Sequence, residues 1–307
     1  MAFPSTTVTV PSLQDWQMSY NGLTIGAGTP YVLQHAQGLS GPKIRSQDEP
    51  RARDLGSYIG FDVYGSRTFN LSLFVVSDGT NSLETLLYNL ATAFTPQPNN
   101  ELPFYIKLPT LPQLAIMSRV KRREYPIDLA FGAAQTANVA LQLESTDPIL
   151  YEAPTQSTSS GLGTPPAATQ FNITFPMTFG GGSLNYISVT NTGNYNVRPI
   201  IVFTGPLTNP YISNSSVSGN PELSFTNPTQ TGYTLNAGDT LTIDTDAHTI
   251  IYTPSGSSFG ANYRSWLVFG STWFDLIPGT NNLYFGSGDS APVSGTVTVQ
   301  WANGYEL

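Results

Sequence analysis

The sequence predicts a mainly β protein in two parts, an N-terminal β-sandwich-like domain with one α-helix followed by a C-terminal antiparallel β-sandwich. Three observations carry this expectation. Apolar and polar residues alternate with the period of a half-buried strand in both halves, and a single segment shows helical spacing. Between the halves runs a stretch of Ser, Thr, Gly, Pro and Ala without periodicity. Such a composition buries too little to fold, so Ala153 to Gln170 reads as a linker. The domains are therefore expected at 1–152 and 171–307, with 153–170 joining them.

In the first half Phe69, Leu71, Leu73 and Val75 alternate with Thr68, Asn70 and Ser72. Val139, Leu141 and Leu143 alternate with Ala140, Gln142 and Glu144 in the same way. Between these two strands Leu83, Leu86, Leu87, Leu90 and Phe94 recur at helical spacing and form one apolar stripe suited to covering a sheet. Asn81 is the expected cap, with Glu84 reaching back to it, and Pro96 follows the end. In the second half short strand-like runs sit between Gly, Pro, Asn and Asp clusters: 186–189, 199–203, 240–244, 249–252, 266–269 and 296–301. Thr245-Asp246-Ala247-His248 is expected to join two of them as a hairpin.

Charge is scarce, with 12 basic and 20 acidic residues in 307, a tenth of the chain against the roughly 25% of an ordinary soluble domain. This composition excludes coiled coils and charged disordered chains. A formal net charge of −8 disfavours a surface that binds by neutralising phosphates. Ten basic and twelve acidic groups precede residue 151, whereas two basic and eight acidic groups follow. There is no cysteine, hence no disulfide, thiolate nucleophile or Cys-ligated metal. The opening Met1-Ala2-Phe3-Pro4-Ser5-Thr6 has neither the basic nor the apolar region of a secretory leader. No apolar run approaches the ~20 residues that span a bilayer.

No catalytic, cofactor-binding or metal residue is nominated. Of the two histidines, His35 and His248, the second alternates with Asp244 and Asp246 and could share a metal ion with them. All three coincide with the hairpin, however, where Asp and His favour local backbone bonding. Gly286-Ser287-Gly288-Asp289-Ser290 resembles a serine-nucleophile loop but lacks a nameable base. Gly180-Gly181-Gly182 lacks the Lys-Ser/Thr of a phosphate loop. Arg119, Lys121 and Arg123 alternate along a strand-like segment, which places three charges on one face and Arg122 on the other beside Val120. That face is either solvated or a subunit contact.

The order of these elements resembles the distal tail proteins of siphovirus-type bacteriophages. In the first half the matching features are Gly60 and Arg67 leading into the Phe69 strand, the helix ending at Phe94-Thr95-Pro96, and the closing Asp147-Pro148-Ile149-Leu150-Tyr151. In the second they are Asn191-Thr192-Gly193-Asn194, Pro199 to Phe203 with Gly205-Pro206 and Asn209-Pro210, Leu241-Thr242-Ile243-Asp244, Pro278-Gly279-Thr280-Asn281 and Trp301. The resemblance implies a structural virion protein without enzymatic activity or cofactor, assembled in the host cytoplasm. It implies a homo-hexameric ring at the end of the tail tube whose first domains continue the DNA channel and whose second domain is galectin-like. Implied partners are other copies of itself, the tail tube protein and the tail-tip hub proteins, with a tail fibre or host saccharide left open. DNA would pass without specific binding, so a neutral or acidic channel wall is expected, because a basic one would retain it.

A different class stays in view: a carbohydrate-binding module for host-surface adsorption, using exposed aromatics to stack on sugar rings. Trp266 and Trp301 fall in predicted strands and read as core, which leaves Trp273 as the exposed candidate. A sugar-degrading enzyme is the weakest reading, since no acid/base pair can be named.

Overall fold

The computed structural model describes residues 9–125, 135–162, 185–225, 233–289 and 294–307. It is mainly β, and its contacts divide it into two units. One unit runs to Pro154 and takes back Tyr305–Leu307; the other is Thr155–Gly304. The last three residues thus belong with the first domain rather than with the expected 171–307.

The first domain comprises β1 (Gln17–Tyr20), β2 (Leu23–Gly26), β3 (Tyr31–Gln37), the short strands β4 (Ile44–Ser46), β5 (Glu49–Pro50), β6 (Ser57–Tyr58) and β7 (Asp62–Tyr64), then β8 (Arg67–Val76), α1 (Leu83–Ala93), β9 (Leu102–Lys107), β10 (Gln113–Glu124), β11 (Thr136–Ser145) and β12 (Leu150–Glu152). Its main sheet is ordered β2-β1-β9-β10-β11-β8-β3. The long β10 serves both halves of this sheet: Gln113 to Ser118 pair with β9, and Arg119 to Glu124 pair with β11. Both predicted alternations are present as β8 and β11, and they pair with each other along ten residues. Phe69, Leu71, Leu73 and Val75 point with Val139, Leu141 and Leu143 into one core, because period-2 alternation sends every second side chain to the same face.

The helix lies where its stripe predicts, with Leu83, Leu86 and Leu90 buried in that core. Its cap differs by one residue. Ser82 Oγ accepts from Thr85 N at 3.3 Å, while Asn81 donates its backbone and amide N–H groups to Asp78 at 2.7 and 3.1 Å. The Asp78 turn engages Asn81 before it can cap, and Glu84 then stands in the second helical position, too early to close a capping box. Phe94 ends the helix and stacks on Tyr20 at 5.0 Å. Phe104 meets Tyr20 edge-on at 6.4 Å and Phe69 at 5.5 Å, so a row of rings crosses the core.

The second domain holds β13 (Gln156–Gly161), β14 (Tyr186–Asn191), β15 (Ile200–Thr204), β16 (Leu207–Thr208), β17 (Tyr211–Asn214), β18 (Glu222–Ser224), β19 (Thr234–Leu235), β20 (Thr240–Asp244), β21 (Thr249–Thr253), β22 (Ala261–Asn262), β23 (Gly279–Gly286) and β24 (Thr296–Trp301). They form an antiparallel six-stranded sheet, β13-β24-β15-β20-β21-β22, and a four-stranded one, β14-β23-β17-β18. Both sheets alternate buried and accessible residues, the pattern of two layers that each cover one face.

Two expectations fail here. Gln156–Gly161, expected as linker, is a strand paired residue for residue with β24. Its Ser/Thr-rich sequence lacks apolar alternation because it lies on a sheet edge, where the ladder to one neighbour suffices. Residues 266–269 are not a strand: Arg264–Trp266 is a 3-10 turn, and Leu267 to Phe269 follow without a ladder. Residues 163–170 of the expected linker and Gly180 to Gly182 lie outside the described residues.

Candidate functional site

The residues that carry the family resemblance serve mainly as turn hardware. Asp147 accepts from Ile149 N at 3.0 Å and from Tyr151 Oη at 2.9 Å, so its carboxylate braces the turn between β11 and β12. Asn191 is buried, accepts from Gly193 N at 3.0 Å and donates to Tyr195 O at 2.8 Å. A Cβ on Gly193 would stand 1.9 Å from Gly304 O, so only glycine fits there. Asn281 donates to Ile277 O at 2.8 Å and accepts from Ile277 N at 3.0 Å and Asn214 Nδ2 at 3.1 Å. Buried amides are affordable because each has partners of both kinds.

The candidate metal residues are engaged in the predicted hairpin. Asp244 Oδ1 accepts from the backbone N–H groups of Asp246 and Ala247, both at 2.9 Å. Asp246 pairs with Arg198 at 2.8 Å. His248 adopts a left-handed backbone at φ 52° and sets its ring 4.6 Å from that of Trp273. His35 is exposed on β3, where the register shifts. Among the described residues no group of three or more His, Asp or Glu is placed to hold a metal ion. Ser287 Oγ accepts from Asp289 N at 3.4 Å, and Asp289 Oδ2 accepts from Thr208 N at 2.8 Å, so this loop braces itself. Ser290 lies outside the described residues.

The basic strand end differs from its expected pattern. Between Val120 and Arg122 the register of β10 slips, and Lys121 has no opposing residue on β11. One extra residue reverses the parity of everything beyond it. Arg122 therefore pairs opposite Gln142, on the same side as Arg119 opposite Glu144, whereas Arg123 crosses to the side of Val120 and Leu141. There its guanidinium donates to Ala91 O at 2.6 Å, in the last turn of α1, where carbonyls lack helical partners. Glu144 gathers Lys121 at 2.8 Å and Arg119 at 3.7 Å, and the Lys121 hydrogen bond holds its carboxyl below the usual range. Arg122 pairs with Glu124.

Of the aromatic candidates, Trp301 is buried and donates Nε1 to Asn303 Oδ1 at 3.1 Å. Trp273 is half-buried with its ring beside His248. Trp266, assigned to a strand core by its sequence, instead stands in the 3-10 turn among Tyr233 and Tyr263, each at 4.3 Å. Below that cluster, Asp239 accepts from Ser255 N, Tyr252 Oη and Asn236 N at 2.8 to 2.9 Å. These bonds, Ser255 N first, hold its carboxyl at about 2, below the usual 3.8. The folded state thus binds this proton more weakly than the unfolded one. The stabilisation is complete above pH ~4 and drains as pH falls towards 2. Asp239→Ala should cost ~2–3 kcal/mol at pH 7 and flatten this part of the acid limb, measured by urea unfolding at stepped pH.

Arg67 stands apart, 1% exposed, with Nη2 3.4 Å from the carbonyl oxygens of Leu39 and Leu307. Burial lowers its pKa, and the Glu306 carboxylate opposes that shift. Its guanidinium lies 5.9 Å from the Phe69 ring. Alternation along the strand foretells an inward Arg67, but only the tertiary return of residues 305–307 reveals why it is tolerated.

Fold and surfaces define a two-domain β protein whose polar groups are largely engaged in its own turns and ladders. Residues 192–305 match the family described as siphovirus-type tail component, C-terminal domain. The chain resembles the distal tail proteins of siphovirus-type phages, and the match lies within its second domain. No curated relative matches by sequence. Among solved structures, the fold is similar to the Dit protein of phage SPP1, described as a paradigm of the hub adsorption apparatus in phages infecting Gram-positive hosts. The TM-score is 0.59 at 16% identity, with 92% of this chain and 97% of that one covered. Chains of the phage P2 baseplate, described as in its activated conformation with Ca and with Sr, align with TM-scores of 0.49 and 0.48 at 9% identity, covering 92% of this chain and 96% of each of those.

Proposed function

We propose that this chain is a non-enzymatic hub of a phage tail tip, forming a hexameric ring that prolongs the tail-tube channel and carries tip and adhesion proteins. The observation that carries this reading is the agreement of order and extent: the tail-component family matches residues 192–305 of the second domain, and the likeness to the SPP1 Dit fold extends over 92% of the chain. The protein would join the virion after assembly in the host cytoplasm, with the tail tube protein and tip hub proteins as neighbours.

The first domain's charge is compatible with a channel that lets DNA slide. Lys107 pairs with Asp15, Arg51 with Asp54, Arg119 and Lys121 with Glu144, and Arg122 with Glu124, while Arg67 is buried. Cations already paired with carboxylates offer little to phosphates. Size-exclusion chromatography with light scattering should give about six times the 33.1 kDa subunit mass, and electron microscopy a ring with a neutral or acidic lumen. A subunit that stays single at every concentration, or a continuous basic lining, would contradict the proposal.

A further inference from the structure

The unit Thr155–Gly304 is poor in charge: its sequence holds two basic residues, one histidine and six acidic residues. Both basic residues, the histidine and three of the acids converge on one place. Arg198, just before β15, pairs through Nη1 with Asp246 Oδ1 at 2.8 Å and through Nε with Asp275 Oδ1 at 3.4 Å. It thereby ties the β20–β21 hairpin to the segment that leads into β23. Two residues along each of these segments the same two are joined again, by the His248 ring 4.6 Å from that of Trp273 and tilted by 31°. Arg264, in the 3-10 turn, adds a third segment, with Nη1 donating to His248 O at 3.1 Å. Asp244 holds the hairpin turn from within, through the N–H groups of Asp246 and Ala247.

Stability does not account for this concentration. Ion pairs this exposed contribute at most about 1 kcal/mol, and the hairpin is already closed by its ladder and by Asp244. The Arg198 and Asp275 side chains are 52% and 39% exposed. His248 is exposed as well, with the half-buried indole of Trp273 beside it. What faces solvent is therefore a pair of rings next to a guanidinium and a carboxylate that orient each other. Aromatic rings offer flat apolar area with a negative face, against which C–H groups of partial positive charge pack. A guanidinium presents paired donors and a carboxylate paired acceptors, which suit two neighbouring hydroxyls on one ring. Because the ion pairs hold these groups in advance, little freedom is lost when a ligand arrives.

We infer that Arg198, His248, Trp273 and Asp275, with Asp246 behind them, form a binding site for a neutral pyranose sugar with adjacent hydroxyls. The C–H side of the sugar packs on the His248 and Trp273 rings, and its vicinal hydroxyls accept from Arg198 and donate to Asp275. Charge selects a neutral sugar over an anionic one. The two arginines stand against Asp244, Asp246 and Asp275, so the site has no basic excess, and the two carboxylates on Arg198 repel a phosphate or a uronate. The inference goes beyond the hub reading and does not depend on it, since every residue it uses lies in one unit of one chain.

The test is saturation-transfer difference NMR on the full chain with the methyl glycosides of glucose, galactose, mannose and N-acetylglucosamine, and with glucose 6-phosphate and glucuronate for comparison. Transfer to at least one neutral glycoside is expected, with weaker binding of the two anions. Trp273→Ala and Asp275→Ala should each weaken that binding about tenfold or more, whereas Phe269→Ser, a fully exposed aromatic outside the cluster, should leave it unchanged. Circular dichroism reports whether the variants are folded, and Trp273→Leu and Asp275→Asn carry the same comparison if an alanine variant is not. No transfer to any neutral glycoside, tighter binding of either anion, or binding that survives loss of Trp273 or of Asp275 overturns the site. A chain that stays single and still binds the glycoside keeps the site and overturns the ring.

Discussion

Deleting Tyr305–Leu307 will destabilise the first domain by about 3–5 kcal/mol, the cost of leaving a buried charge without its partners. These residues bring Leu307 O to Arg67 Nη2, the Glu306 carboxylate to the neighbourhood of the guanidinium, and the Tyr305 and Leu307 side chains to the core. Without them Arg67 Nη2 keeps Leu39 O, in a site where the residue is 1% exposed. For a domain near 150 residues this corresponds to a fall of very roughly 10 °C or more in Tm. The decisive comparison is Arg67→Met in the shortened chain. If the guanidinium is what the tail neutralises, Arg67→Met should recover most of the loss, because an apolar side chain needs no partner there. Equal loss in both backgrounds, read by urea unfolding and by hydrogen exchange along β8, would mean that the tail acts only through the packing of Tyr305 and Leu307.

Phe104→Ala should cost a further large amount, about 3–5 kcal/mol, for a separate reason. Phe104 is fully buried at the middle of β9, opposite Tyr20 on β1 and Ile116 on β10, and touches both Tyr20 and Phe69 edge-on. Truncation removes the ring on which the others rest and leaves a cavity that strands on both sides keep from collapsing. Phe104→Leu, which keeps most of the volume, should lose less than half as much. Denaturant titration of the three chains checks the order, and an alanine variant as stable as the leucine variant would show that the core repacks freely.

Several elements with one buried face were legible in advance, although β17 and β23, which also bury one face, were not among the expected strands. β8, β11 and the stripe of α1 announced themselves by period, and Asp244 to Thr249 by turn chemistry. β9 was harder to read, because Leu102 to Lys107 is an almost continuous apolar run containing Pro103 and carries no period. The basic strand end misled because parity is certain only until a bulge, and nothing in Val120-Lys121-Arg122 marks one. Gln156–Gly161 was hidden for the opposite reason: an edge strand held by backbone bonds to β24 needs little from its side chains. The short strands β4 to β7 stayed invisible since the apolar residues of this segment are scattered among Gly, Asp and Arg and follow no period. Landmarks such as Asp147, Asn191 and Asn281 were legible as a pattern of resemblance, yet their role as turn clamps needed the hydrogen bonds.

The return of residues 305–307 to the first domain sets a timetable for synthesis. A ribosome adding ~5–20 residues each second needs roughly 8–30 s to cross the intervening second domain. Throughout that interval Arg67 lacks Leu307 O and the Glu306 carboxylate, so the first domain is held by fewer contacts than it later gains. Order of synthesis and order of completion are thereby uncoupled: the domain made first gains its closing contacts only after the domain made second.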